Sequence, residues 1–111
     1  MESVKLKTAH YITCDDVEKL TGKYWGFFEF AYMAENDAYQ ILDCSDWYLE
    51  ELYEEFEDVK DEIDFDENDK NVSRYHKRDC YAYRLKNQIE LVEILRKQFG
   101  VRDSILIWIS W

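Results

Sequence analysis

The sequence predicts an α+β fold: one domain over residues 1–111, with a mixed β-sheet of about four to five strands and two to three helices packed on it. Three observations predict it. Apolar residues alternate with period two near the N-terminus and run unbroken near the C-terminus, as strands require. Elsewhere they recur at intervals of three and four, as amphipathic helices require. And 111 residues with 47% hydrophobic and 17% aromatic content suffice for one core, whereas a disordered acidic tail has few aromatics.

In chain order, Val4, Leu6, Thr8, His10 and Ile12 alternate with Lys5, Lys7, Ala9 and Tyr11, a half-buried strand. Thr13 to Leu20 reads as a short helix capped by Thr13 and stopped near Gly22. Tyr24 to Met33 is rich in Trp, Phe and Tyr, and Tyr39 to Cys44 follows the turn-like Glu35-Asn36-Asp37, so the pair predicts a hairpin. A helix over about 46–65 comes next, capped by Ser45 or Asp46, and the polar Asp66 to Asn71 forms a loop.

Asp79 to Leu85 alternates weakly, as a strand or as the start of an earlier helix. Asn87 with Glu90 makes a capping-box start for Gln88 to Phe99, with Leu91, Val92, Leu95 and Phe99 inward and Gly100 as the stop. Ser104 to Trp111, built from Ile105, Leu106, Ile107, Trp108 and Ile109, predicts a buried central strand. The order is β-α-β-β-α-β-α-β, without repeats or linkers.

The charge is concentrated. Asp46 to Asp69 holds thirteen acids against one base, Lys60, for a net −12 in a chain of −11, leaving the remainder about neutral. Leu49, Leu52, Phe56, Val59 and Ile63 mark the inward face of this helix. Outside lie two rows, Glu50, Glu54, Glu57, Asp61, Asp64 and Glu51, Glu55, Asp58, Glu62, with Asp66 just beyond. Six i,i+4 pairs are like-charged: Asp46/Glu50, Glu50/Glu54, Glu51/Glu55, Glu54/Asp58, Glu57/Asp61 and Asp58/Glu62. They cost about 1–3 kcal/mol in total, less in salt. Acids also persist into the last turn, where the helix dipole favours cations. Solubility needs fewer charges of mixed sign, so this run points to a binding surface, with an over-acidic solvated face as the bland alternative.

Other chemistry finds little support. Two His-x-x-x-Cys pairs, His10/Cys14 and His76/Cys80, supply zinc-type ligands, but the spacing is not that of a close Cys pair. Asp64, Asp66 and Asn68 match the opening of a calcium loop, which then fails at Asp69, where Gly is required, and at Tyr75, where Glu is. Three glycines leave no phosphate loop, and no nucleophile motif stands out. No catalytic residue, metal or cofactor is therefore expected. Cys14, Cys44 and Cys80 form no disulfide framework, no long apolar run spans a membrane, and Met1 to Lys7 lacks the apolar core of a signal peptide, all of which predict a cytoplasmic protein.

Lys70 to Arg102 carries a net +6, with Tyr75, Tyr81 and Tyr83 among its bases. Direct nucleic-acid binding through it is opposed by the whole-chain charge; the alternative is pairing with the acidic helix, within the chain or across a homodimer. The reading that follows is a small inhibitor whose acidic helix enters the basic nucleic-acid-binding surface of an enzyme. Its partner-binding residues are Glu50, Glu51, Glu54, Glu55, Glu57, Asp58, Asp61, Glu62, Asp64 and Asp66, anchored by Trp47, Tyr48 and Tyr53. Phage proteins that block restriction or CRISPR enzymes, acting in the host cytoplasm, and immunity proteins of nuclease toxins share this charge and size. The other reading is a non-catalytic α+β interaction or regulatory module, as a monomer or a homodimer, with a solvated or self-paired acidic helix.

Overall fold

A computed structural model of the chain describes residues 11–34 and 39–108. Among these, five α-helices pack with a three-stranded mixed sheet, an α+β arrangement with fewer strands and more helices than expected. The strands are β1 (Tyr11–Thr13), β2 (Tyr39–Asp43) and β3 (Ser104–Trp108), in the order β1-β3-β2. β3 lies centrally as expected, parallel to β1 and antiparallel to β2, with Tyr11, Leu106 and Ile41 in one register row. It is not buried on both faces. Ile105 and Ile107 join Ile12 and Leu42 in the core, whereas Leu106, Trp108, Tyr11 and Ile41 are exposed on the other side.

Helix α1 (Cys14–Thr21) follows its caps. Thr13 and Asp16 exchange bonds in a capping box, and Gly22 closes the helix at φ 74°, where glycine carries no Cβ penalty. The aromatic segment Tyr24 to Met33 is not a strand. It forms a 3-10 turn (Trp25–Phe27) and a short helix α2 (Glu29–Ala34), so the hairpin is absent although β2 is present. The turn expected at Glu35-Asn36-Asp37 and the strand expected before Tyr11 lie outside the described residues.

Long-range polar contacts decide this local outcome. Asn87 donates to the carbonyl of Phe27 (2.9 Å), and the Gln88 carbonyl accepts from the N–H of Phe30 (3.2 Å). Both belong to α5 (Tyr81–Phe99), a 19-residue helix that begins well before the expected Gln88. The segment Asp79 to Leu85 is therefore mostly helical, and Asn87 is an interior residue instead of a cap. Gly100, at φ 69°, ends α5 as its sequence indicates.

Leu91, Val92 and Leu95 of α5 share one core with the inward strand residues, with Val17 of α1, with Phe28 and Phe30, and with Leu52 of α3 (Asp46–Val59). Arg84 is buried too, in an ion pair with Glu29 at 2.9 Å, and donates to the carbonyl of Arg78 at 2.6 Å. The loop after the acidic segment leads to a short polar helix, α4 (Arg74–Asp79), capped by Ser73 through the N–H of His76.

Candidate partner-binding face

Helix α3 is amphipathic as its spacing requires. Ser45 caps it by accepting from the N–H of Tyr48, and Leu49, Leu52, Phe56 and Val59 pack on the core. It stops at Val59, several residues before the expected end near 65; Lys60 to Glu62 continue as a 3-10 turn and Ile63 is extended. The dipole accounts for this. Asp61, Glu62 and Asp64 would each place a carboxylate at the negative end of a longer helix. Lys60, the single base, sits instead at the C-cap and pairs with Glu57 at 2.9 Å.

Glu50, Glu51, Glu54, Glu55, Glu57 and Asp58 on α3 are all exposed, as are Asp61 and Glu62 in the turn and Asp64 and Asp66 beyond it. Arg96 of α5 donates to Asp46 in the first turn and to the carbonyl of Cys44 (2.7 Å), which neutralises the N-terminal margin of the row, and the His76 ring lies 3.1 Å from Asp64 beyond the other end of α3. Among the described residues, Glu50, Glu51, Glu54, Asp58, Asp61 and Glu62 take part in no ion pair. Of the other bases on α5, Arg84 pairs with Glu29 and Lys86 with Glu67, beyond the end of α3.

The three expected aromatic anchors part company. Trp47 is 64% exposed, on the solvent side at the start of the carboxylate rows. Tyr53 is 44% exposed but its hydroxyl donates to Glu93, a bond that pushes its ionisation up to about 12. Tyr48 turns inward, packs on the core and accepts from Gln88 at 3.5 Å. Of these three, Trp47 alone makes no polar side-chain bond among the described residues, and it stands beside the acids as a ready contact.

Two tyrosines of α5 hold the acidic segment from below. Tyr81 donates to Glu55 (3.2 Å) and Tyr83 to Glu67 (3.1 Å); burial first, and those carboxylates second, push both phenols up to about 12. Glu67 has the densest contacts of any acid here. Lys86 reaches it at 3.1 Å, Lys23 at 3.6 Å, and Lys77 bonds its carbonyl at 2.7 Å. Burial raises its carboxyl pKa, but the Lys86, Lys23 and Tyr83 contacts outweigh that and leave it below the ordinary value. Nothing in the sequence distinguishes Glu67 from its twelve acidic neighbours.

Beside the turn, Glu62, Asp64, His76, Asp79, Cys80 and Tyr81 line an open recess of roughly 290 Å³. No group of three or more metal-ligating side chains converges among the described residues. Cys14 is buried in the core, His76 and Cys80 line the recess, and His10 lies outside the described residues. Cys44 is buried as well, and burial pushes its thiol up to about 12. No helix among the described residues is long and apolar enough to cross a membrane. Compared with known proteins, the chain matches no family model, no curated protein and no solved structure.

Proposed function

We propose that the protein is a small acidic inhibitor of the nucleic-acid-mimic type, whose α3 face occupies the basic nucleic-acid-binding surface of an enzyme. The observation that carries this reading is the row Glu50, Glu54, Asp58 with Glu51 beside it: exposed, on a helix packed to the core, and in no ion pair among the described residues. Side chains three or four apart on a helix lie about 5–6 Å from each other, a spacing similar in scale to that of successive phosphates. Such a ladder fits where a nucleic-acid backbone fits.

A net charge of −11 steers encounter with a basic groove, makes association fast and salt-sensitive, and repels nucleic acid itself. Steering alone gives little residence time. Trp47 at the head of the row supplies the large apolar contact that hot spots use. The protein acts by occupancy, without turnover or cofactor, in the cytoplasm where such enzymes work. Phage inhibitors of restriction or CRISPR enzymes and immunity proteins of nuclease toxins both have this character.

Contacts at Asp46 with Arg96, at Asp64 with His76 and at Glu67 with Lys86 and Lys23 favour a second reading, a regulatory module whose acidic segment is partly self-paired. Among the described residues they leave Glu50, Glu51, Glu54 and Asp58 in no ion pair, so the inhibitor reading is preferred. Capture from a host lysate on the tagged protein, at low and high salt and with competing DNA, tests it. Recovery of a basic nucleic-acid enzyme that DNA displaces supports the reading; recovery of no such enzyme overturns it.

A further inference from the structure

We propose that α4 is the docking face for α3 of a second copy of this chain, so that two copies pair reciprocally, the Arg74 and Arg78 row of each against the Glu50, Glu54 and Asp58 row of the other. The pairing itself stands apart from the inhibitor reading; only its regulatory consequence rests on that reading.

The starting observation is a surplus. In a chain with 25 acids and 14 lysines and arginines, every cation has carboxylates to spare. Yet among the described residues Lys70 and Arg74 take part in no ion pair, and Arg78 reaches only its neighbour Asp79, at 3.8 Å. Lys97 and Arg102 also lack one, but they lie apart, at the far end of α5 and beyond it, and form no row.

Arg74 and Arg78 do form a row. They are four apart on α4, exposed, and each guanidinium is held over a ring at 5.0 Å, Arg74 over Tyr24 and Arg78 over Tyr75. Stacking fixes a flexible side chain in advance while leaving the planar N–H edges for carboxylates. Tyr75, 65% exposed, extends the same surface.

The complement is the unpaired row on α3. Residues four apart rise about 6 Å along either helix, so Glu54 and Asp58 present carboxylates at the pitch of Arg74 and Arg78. Within one chain the two rows do not meet: α4 offers the acidic stretch its other side, through His76 to Asp64 and Cys80 to the Glu62 carbonyl. A second copy brings them together, and a two-fold arrangement satisfies both rows at once and closes. Remote repulsion between two anionic copies is screened beyond about 8 Å at physiological salt, which leaves the local pairs in control. Because the pairing covers Glu50, Glu54 and Asp58, self-association and partner binding exclude each other.

Sedimentation of the full chain at physiological salt and rising concentration tests this, using wild type, Arg74→Glu/Arg78→Glu, Glu54→Arg/Asp58→Arg, and an equimolar mixture of the two variants. Wild type is expected to move from monomer to dimer below millimolar concentration. Each variant alone stays monomeric, and the mixture restores the dimer because both contacts are again complementary. Circular dichroism checks folding, and the milder Arg74→Gln/Arg78→Gln weakens the dimer at least tenfold if reversal unfolds the chain. A wild type monomeric at millimolar concentration, a dimer that survives either reversal, or a mixture of folded variants that stays monomeric overturns the proposal. Failure of the inhibitor reading alone leaves these sedimentation results unchanged.

Discussion

The side-chain carbonyl of Gln88 accepts the backbone N–H of Phe30 inside the core, 3.2 Å away and 58 residues distant in sequence. The same amide donates to the Tyr48 hydroxyl, so one buried side chain of α5 holds the first turn of α2 and the first turn of α3 together. Gln88→Leu keeps much of the volume and orphans the Phe30 donor, and an unsatisfied buried N–H costs about 1–3 kcal/mol. Urea denaturation should show a loss of that size; an unchanged midpoint would mean the bond is dispensable.

Neutralising the outer row should stabilise the fold. Glu50→Gln, Glu54→Gln, Asp58→Asn and Asp61→Asn together remove three like-charged i,i+4 pairs inside α3: Asp46/Glu50, Glu50/Glu54 and Glu54/Asp58. The two further pairs that change, Glu57/Asp61 and Asp58/Glu62, cross the break at Val59 and count for less. At a few tenths each the gain is about 1 kcal/mol at low ionic strength, and thermal melts in low and high salt should show it shrink as salt rises. A destabilised quadruple variant would mean the acids are held by contacts that the fold needs.

Alkali should unfold the protein through groups kept protonated by the fold. Cys44, Tyr81 and Tyr83 are all pushed up to about 12, against ordinary values of about 8.5 for a thiol and 10 for a phenol. Since the folded pKa lies above the unfolded one, their contribution is complete below the unfolded value and is lost as pH climbs toward 12. Tyr83→Phe should therefore show a shallower fall of the urea midpoint between pH 9 and 12 than wild type, and parallel curves would remove Tyr83 from the account.

The acid limb has the opposite sign. Glu67 is held below the ordinary carboxyl range, burial being outweighed by Lys86, Lys23 and Tyr83. Its contribution is present above about pH 4.3 and fades as pH falls through the folded value. Glu67→Gln should be less stable than wild type at neutral pH, and the gap should narrow steadily as the solution is acidified. A gap independent of pH would assign the loss to packing.

What the sequence made legible was whatever is local. Thr13 and Gly22 bracket α1 because a capping box and a left-handed glycine act within a few residues, and Leu49, Leu52, Phe56 and Val59 declare the inward face of α3 by spacing alone. The exposed acids follow from the same wheel. Tyr24 to Met33 misled because its β-favouring aromatics are overruled by Asn87 and Gln88 from α5. The first half of α5 was obscured for the same reason in reverse. Arg84, Asn87 and Gln88 are buried and bonded there, at positions that a hydrophobic pattern assigns to solvent. Tyr48 and Tyr53 differ in role only because Gln88 and Glu93 stand where they do, and spacing does not carry that information.

The most direct test of the central claim is the affinity of the quadruple variant Glu50→Gln, Glu54→Gln, Asp58→Asn, Asp61→Asn for the enzyme captured by wild type, measured by calorimetry at two salt concentrations. The inhibitor account predicts binding weakened at least a hundredfold and most of its salt dependence gone, in a protein at least as stable as wild type. Undiminished binding by this folded variant would contradict it.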